Sequence, residues 1–153
     1  MDKIQFPAQP VLWPHLTILV GALVDDKPDF TAVAWTGIAA SNPPSITIAL
    51  QPQRWSLKGI KQNHVFSVNI PSASLVKETD YCGMVSGADT DKAKDCDFKV
   101  FYGENKKAPF IEQCPINLEC GVSHIIELGS HELIIGSFKE MYLSKDCLTN
   151  GSL

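Results

Sequence analysis

Arg54 and Ser56 are spaced to hold an anion. Both fall at the start of the segment RWSLKGIKQN, just after Pro52, where helical spacing of Leu57, Ile60 and Lys61 predicts a short helix. Backbone N–H groups point outward at a helix start, and the helix dipole favours negative charge there. Arg54 can add a bidentate, charge-assisted contact to phosphate oxygens. The plainer alternative is an ordinary exposed helix start with Ser56 in its first turn, and residue chemistry alone favours it. Trp35, beside Thr36 and Gly37 at a strand end, also has an ordinary reading as a core residue whose indole N–H needs a partner if buried. His131, after Leu128, Gly129 and Ser130, is by chemistry alone a surface or satisfied histidine, and His15, His64 and His124 stand in no pattern at all.

The cysteines suggest no further chemistry. There are five, an odd number, and none forms a Cys-x-x-Cys pair, so a zinc site is not expected. On one continuous strand Cys114 and Cys120 would face the same side about 20 Å apart, at roughly 3.3 Å per residue, too far for a disulfide. Small buried hydrophobes or free thiols in a reducing compartment are the expectation, without a thiol mechanism.

The elements that must position these residues begin with a strand at about His15–Val24 and a turn at Asp25–Pro28. Alternation of Phe30, Ala32 and Ala34 with Thr31, Val33 and Trp35 predicts a strand covered on both sides. Ser41, Asn42, Pro43 and Pro44 make a turn before a second strand at Ser45–Leu50. After the first helix comes a strand at His64–Ile70, then a second helix capped by Ser72 or Ser74. Its buried face would be Leu75, Val76, Thr79 and Cys82, and it would reach Val85 before Gly87. Residues 88–109 read as charged and irregular. Gln113–Glu127 and His131–Leu143 form a closing hairpin around Leu128, Gly129 and Ser130. Many strands with two short inserted helices favour a mainly β, closed or partly closed antiparallel barrel over a parallel sheet.

At 153 residues the chain suits one domain with one substantial core. A net charge of −4 with mixed signs leaves no basic stripe, so nucleic acid is not an expected partner. The longest apolar run, Leu16–Val24, is too short to span a bilayer, and the start Met1-Asp2-Lys3-Ile4 carries no signal-peptide pattern. The expectation is a cytoplasmic protein with no membrane partner. There is no Gly-x-Gly-x-x-Gly loop after a strand, hence no dedicated dinucleotide fold.

Thr31, Ala34, Trp35 and Gly37, then Asn42, Pro43 and Pro44, then Arg54 and Ser56, resemble the flavin reductase-like family of FMN-binding split barrels, and within it the flavoredoxins. The likeness continues through Phe66, Val68, Asn69 and Pro71, the residues Ser86, Gly87, Asp91 and Lys92, and Glu119, Cys120, Leu128, Gly129 and His131, nearly the whole chain. It implies a Greek-key antiparallel split barrel over residues 1–153 with FMN as cofactor. The phosphate would meet Arg54, Ser56 and a downstream basic residue, matched here by Lys92. Trp35 would touch the ring or ribityl chain beside Ala34 and Thr36, and Gly37 would allow close backbone approach. Thr31 and Asp29 would complete that strand's contribution. Family members commonly carry Asn where this chain has Asp29, which is acceptor-only when ionised. It would accept the ring N3–H and lower the reduction potential. His131 would hydrogen-bond the flavin or its phosphate.

The resemblance also implies electron transfer from NADH or NADPH, or from a reduced protein, through FMN to an acceptor. Two alternatives stand beside it: an FMN electron carrier without a small-molecule substrate, and a flavin-free interaction domain on the same fold. A homodimer whose protomers both approach each flavin is implied, as is a redox protein partner. Relatives usually continue beyond the position of Leu153 with an aromatic stretch covering the flavin. The expectation is a chain lacking that tail, either truncated or naturally short with a more open site.

Overall fold

The computed structural model describes residues 1–152. β1 (Ile18–Val24) and β2 (Lys27–Val33) form a hairpin in which both turn residues, Asp25 and Asp26, have positive φ (50° and 63°). That handedness matches the twist of the flanking strands, and aspartate is among the residues that tolerate it. β3 (Thr36–Ser41) and β4 (Pro44–Leu50) make a second hairpin over Asn42 and Pro43. Then follow α1 (Trp55–Asn63), β5 (Val65–Ile70), a 3-10 turn at Ala73–Leu75 and α2 (Val76–Met84). The chain continues through α3 (Lys92–Asp95), β6 (Val100–Tyr102), β7 (Pro109–Ile111), β8 (Ile116–Glu127) and β9 (Glu132–Leu143).

Seven strands form one antiparallel sheet in the order β2-β1-β5-β8-β9-β4-β3, and β6 pairs with β7 separately. The β3–β4 hairpin docks on β9, at the opposite edge from β2, and β5 returns beside β1, so the chain crosses the barrel in Greek-key fashion. The sheet curls enough for the Ala49 N–H to donate to the Trp35 carbonyl at 2.9 Å, which draws β4 toward the end of β2.

Period-two alternation puts Ile18, Val20 and Ala22 of β1 into the main core with Ile46, Ile48 and Leu50 of β4 and Phe66 and Val68 of β5. Leu57 and Ile60 of α1 close this core; they are 3 % and 0 % exposed, and each contributes roughly 1.5–3 kcal/mol by burial. Leu19 faces the other way, into a second cluster with Phe30, Cys82, Phe98, Ile111 and Cys114. β1 is therefore covered on both faces, which explains its unbroken apolar run. α1 lies close to β1 at Gly59, where any Cβ would strike the Leu23 carbonyl.

The structure corrects several boundaries. The strand expected to run through Trp35 ends at Val33, and Thr36 opens a separate one. β1 starts at Ile18 rather than His15, and Val76 is 65 % exposed instead of sharing the buried face of Thr79 and Cys82. Ser72 and Ser74 bond each other at 2.7 Å rather than capping α2. The segment expected to be irregular contains α3, β6 and much of the small sheet. Because β8 starts at Ile116, Cys114 lies outside it in the outer cluster while Cys120 joins the main core. All five cysteines are free thiols. Among the described residues no helix is long and apolar enough to cross a membrane.

Candidate functional site

β2, the β4–α1 connection and the end of α2 converge on a groove made of two adjoining clefts. The first, about 270 Å³, is lined by Thr31, Gln51, Arg54, Met84, Ser86 and Lys92 among others. The second, about 220 Å³, is lined by Ala34, Trp35, Ala49, Gln51, Arg54 and His131 among others. Arg54 and Gln51 belong to both, so the groove runs continuously from a cationic end to an aromatic one. At the aromatic end the Trp35 and His131 rings stack, with centroids 4.4 Å apart and planes at 28°. Trp35 is 41 % exposed and so is not a core residue. His131 Nδ1 and the Ser130 hydroxyl lie 3.0 Å apart. The β2–β3 connection and the β8–β9 turn thus present a flat, amphipathic wall, suited to a planar ring.

Arg54 is positioned by its place as N-cap of α1, in extended conformation (φ −66°, ψ 125°) with no side-chain cap. The Nη1 group donates to the Gly83 carbonyl at 2.8 Å, tying the helix start to α2. It forms no ion pair among the described residues. One guanidinium fork therefore keeps donors and an uncompensated charge for the groove. Thr31 lines the same cleft and is 1 % exposed, and its Oγ1 has no hydrogen-bond partner in the protein. A buried hydroxyl in that condition costs about 1–3 kcal/mol, a cost that a ligand acceptor or donor in the cleft removes.

Asp29, Ser56 and Lys92 meet one another behind this cleft. The Ser56 hydroxyl donates to Asp29 Oδ2 at 2.5 Å and is fully buried. Lys92 Nζ lies 3.1 Å from Asp29 Oδ1, donates to the Phe30 carbonyl at 2.7 Å, and is 3.5 Å from the Cys82 carbonyl. Its three protons are thus directed into protein, although the side chain lines the cleft wall. Gly87 leans on the same carboxylate, where a Cβ would overlap Asp29.

These contacts revise four of the expected roles. The expected Asp29 contact to a ring N3–H does not fit, because its carboxylate is 4 % exposed and engaged by Ser56 and Lys92. The Ser56 hydroxyl is unavailable to a phosphate for the same reason. Thr36 donates to the Thr47 carbonyl at 2.8 Å across the β3–β4 hairpin and lies off the groove lining. Gly37 sits on the exposed edge strand with nothing near its Cβ position, and it too lies off the lining. Thr31, Ala34, Trp35, Arg54, Lys92 and His131 come together as lining residues. Gln51, Met84 and Gly83 were not singled out by sequence. Gln51 carries no motif, and the only signal for Met84 is an apolar residue at the end of a helix.

This fold and site define a split-barrel flavoprotein scaffold of the flavin reductase class. The model of the flavin reductase like domain matches residues 13–151, and the chain belongs to that family. Flavoredoxin from Methanosarcina acetivorans is similar at TM-score 0.94 and 36 % identity, over 99 % of this chain and 81 % of that one. Flavoredoxin of Desulfovibrio vulgaris (Miyazaki F) gives a TM-score of 0.91 at 31 % identity, over 99 % and 82 %. A protein from Archaeoglobus fulgidus is 30 % identical over 125 residues, 82 % of this chain and 70 % of its relative.

Proposed function

We propose that this chain is an FMN-binding oxidoreductase of flavoredoxin type, acting as a single domain. The observation that carries the reading is the groove itself, with the unpartnered Thr31 hydroxyl and uncompensated Arg54 at one end and the Trp35–His131 stack at the other. An anionic tail and a planar ring are the two parts of FMN, and the residue types fit both. Arg54 and Thr31 would hold the phosphate end, with the first N–H groups of α1 beside them. Ala34, Trp35 and His131 would orient the ring and keep water from one side of it. The chemistry that a bound FMN would supply is hydride acceptance from a reduced nicotinamide and one- or two-electron delivery to an acceptor. The protein sets access and geometry. His131 would meet the ring edge through Nε2, since its Nδ1 and the Ser130 hydroxyl are 3.0 Å apart.

The same reading includes a homodimer, supported by the exposed edge strand β3, whose Ile38 is 74 % exposed, and by the need of such an edge for cover. Light scattering at micromolar concentration is expected to give a dimer mass. Five free thiols accord with a reducing, cytoplasmic setting.

The test is the absorption spectrum of FMN-supplemented, desalted protein, followed by anaerobic NADH or NADPH. Retained flavin that bleaches supports a nicotinamide-coupled enzyme. Retained flavin that stays oxidised favours an electron carrier fed by a reduced protein partner, and protein that keeps no flavin overturns the proposal. Trp35→Ala is expected to weaken FMN binding by about tenfold, as removing a stacked aromatic worth roughly 1–3 kcal/mol would. Its melting temperature should hardly move, because the ring is half exposed.

A further inference from the structure

Lys92 stands between two environments. On one side its side chain forms part of the cleft wall beside Arg54 and Thr31; on the other, Asp29 Oδ1 lies 3.1 Å from its ammonium. Both partners are more than nine-tenths buried, at 3 % and 4 % exposure. Charges removed from water this completely interact over several Å with little screening. A phosphate entering the cleft therefore meets the sum of Arg54, Lys92 and Asp29, not Arg54 alone. With Asp29 ionised, the buried pair sums to zero and Arg54 supplies the only net positive charge of the three.

We infer that Asp29 is a positioning residue that limits how tightly the cleft holds a phosphomonoester, by acting as the internal counter-ion of Lys92. The inference rests on the reading of this groove as an FMN site. Two contacts set how strongly Asp29 acts. The Ser56 hydroxyl donates to Oδ2 and shares the carboxylate's charge, and Gly87 packs so closely on the carboxylate that a Cβ there would overlap Oδ1. Asp29→Asn frees the Lys92 charge for the cleft. Ser56→Ala does the reverse, since a carboxylate with one donor fewer draws Lys92 inward more strongly. The Asp29 network thus tunes how readily a phosphorylated flavin exchanges, without touching it.

The experiment compares FMN with riboflavin, which lacks the phosphate, by fluorescence titration of the wild type, Asp29→Asn and Ser56→Ala. Asp29→Asn is expected to raise the FMN-to-riboflavin affinity ratio about tenfold, the size of effect one unit charge exerts across a partly buried site. Ser56→Ala is expected to lower the ratio a few-fold, with riboflavin affinity unchanged in both. A general loosening of the fold would move both ligands together. A ratio that stays put in both variants while the wild type binds FMN overturns the inference and leaves the flavin reading standing. Wild-type protein that binds neither ligand overturns both. If Asp29→Asn does not fold, the direction of the Ser56→Ala change decides.

Discussion

Asp29 on β2 and Glu119 on β8 are carboxylates with almost the same burial, 4 % and 2 % exposed, on strands of one sheet. Asp29 faces a cation, accepts from Ser56 and borders the groove. Glu119 faces other acids. Its Oε1 accepts from Asn105, its Oε2 has no partner, and Glu140 stands directly opposite on β9. Glu140 in turn accepts from the Glu104 N–H at 3.1 Å and the Tyr142 hydroxyl at 2.7 Å. These carboxylates pin the loop at Gly103–Lys107 onto the sheet, away from the groove. One buried charge is balanced beside a binding cleft; the other is unbalanced and serves as a latch for a loop. The difference shows that burial of a carboxylate does not mark a site, whereas its counter-charge and what it borders do.

The strongest way to break this contrast is Lys92→Met. It leaves Asp29 buried without its cation, and breaking one partner of a buried pair costs about 3–5 kcal/mol. At roughly 2–4 °C per kcal/mol for a domain of this size, thermal denaturation should show a fall of about 6–20 °C. Adding Asp29→Asn to Lys92→Met should recover most of that loss. A Lys92→Met protein no less stable than one with the exposed Lys77 replaced would show that the pair does not hold β2 to α3. A smaller effect in the same direction is expected from Gly87→Ala, whose Cβ would overlap Asp29 and lie 2.9 Å from Trp55 Cδ1. Overpacking of this kind costs about 1–3 kcal/mol. Gly37→Ala on the open edge strand should stay within about 0.5 kcal/mol, and chemical denaturation of the two variants side by side measures the difference.

The contrast also marks how much of the molecule was legible. Period-two alternation and turn residues gave the long strands β1, β2, β4, β5, β8 and β9 in their order but not the short β6, and Arg54, Trp35 and His131 line one cleft. Pattern alone could not show that Asp29 and Lys92 pair. They lie 63 positions apart in the chain with no periodicity linking them, and only the fold brings them to 3.1 Å. Asp29 was assigned to the flavin only through the resemblance, at a position where relatives commonly carry Asn, whereas its carboxylate turns to the start of α1 and meets Ser56. The strand break after Val33 was invisible because Ala34, Trp35 and Thr36 continue an extended pattern. It is tertiary structure, with Trp35 accepting from Ala49, that turns the chain there.

Among the charge changes, the smallest expected effect sharpens the comparison because it carries the opposite sign. Burial, with the Glu140 and Glu104 charges adding to it, pushes the Glu119 carboxyl above its ordinary value. A carboxyl raised in the folded state binds its proton more tightly there than in the unfolded chain. Its contribution to stability is therefore complete below the ordinary glutamate range and is lost as pH rises through the raised folded value. Glu119→Gln keeps an oxygen for Asn105 and removes the charge. At pH 4 the variant and wild type should melt together, and at pH 8 the variant should melt about 2–4 °C higher, the shift that roughly 1 kcal/mol produces in a domain of this size. Asp29→Asn at pH 8 should instead lower the melting temperature, since it leaves Lys92 buried without a counter-charge. Melting curves of both variants across that pH range decide the matter. A Glu119→Gln protein less stable than wild type at pH 8 would mean that the Glu119 charge finds compensation in the folded protein, and the two buried carboxylates would then be alike.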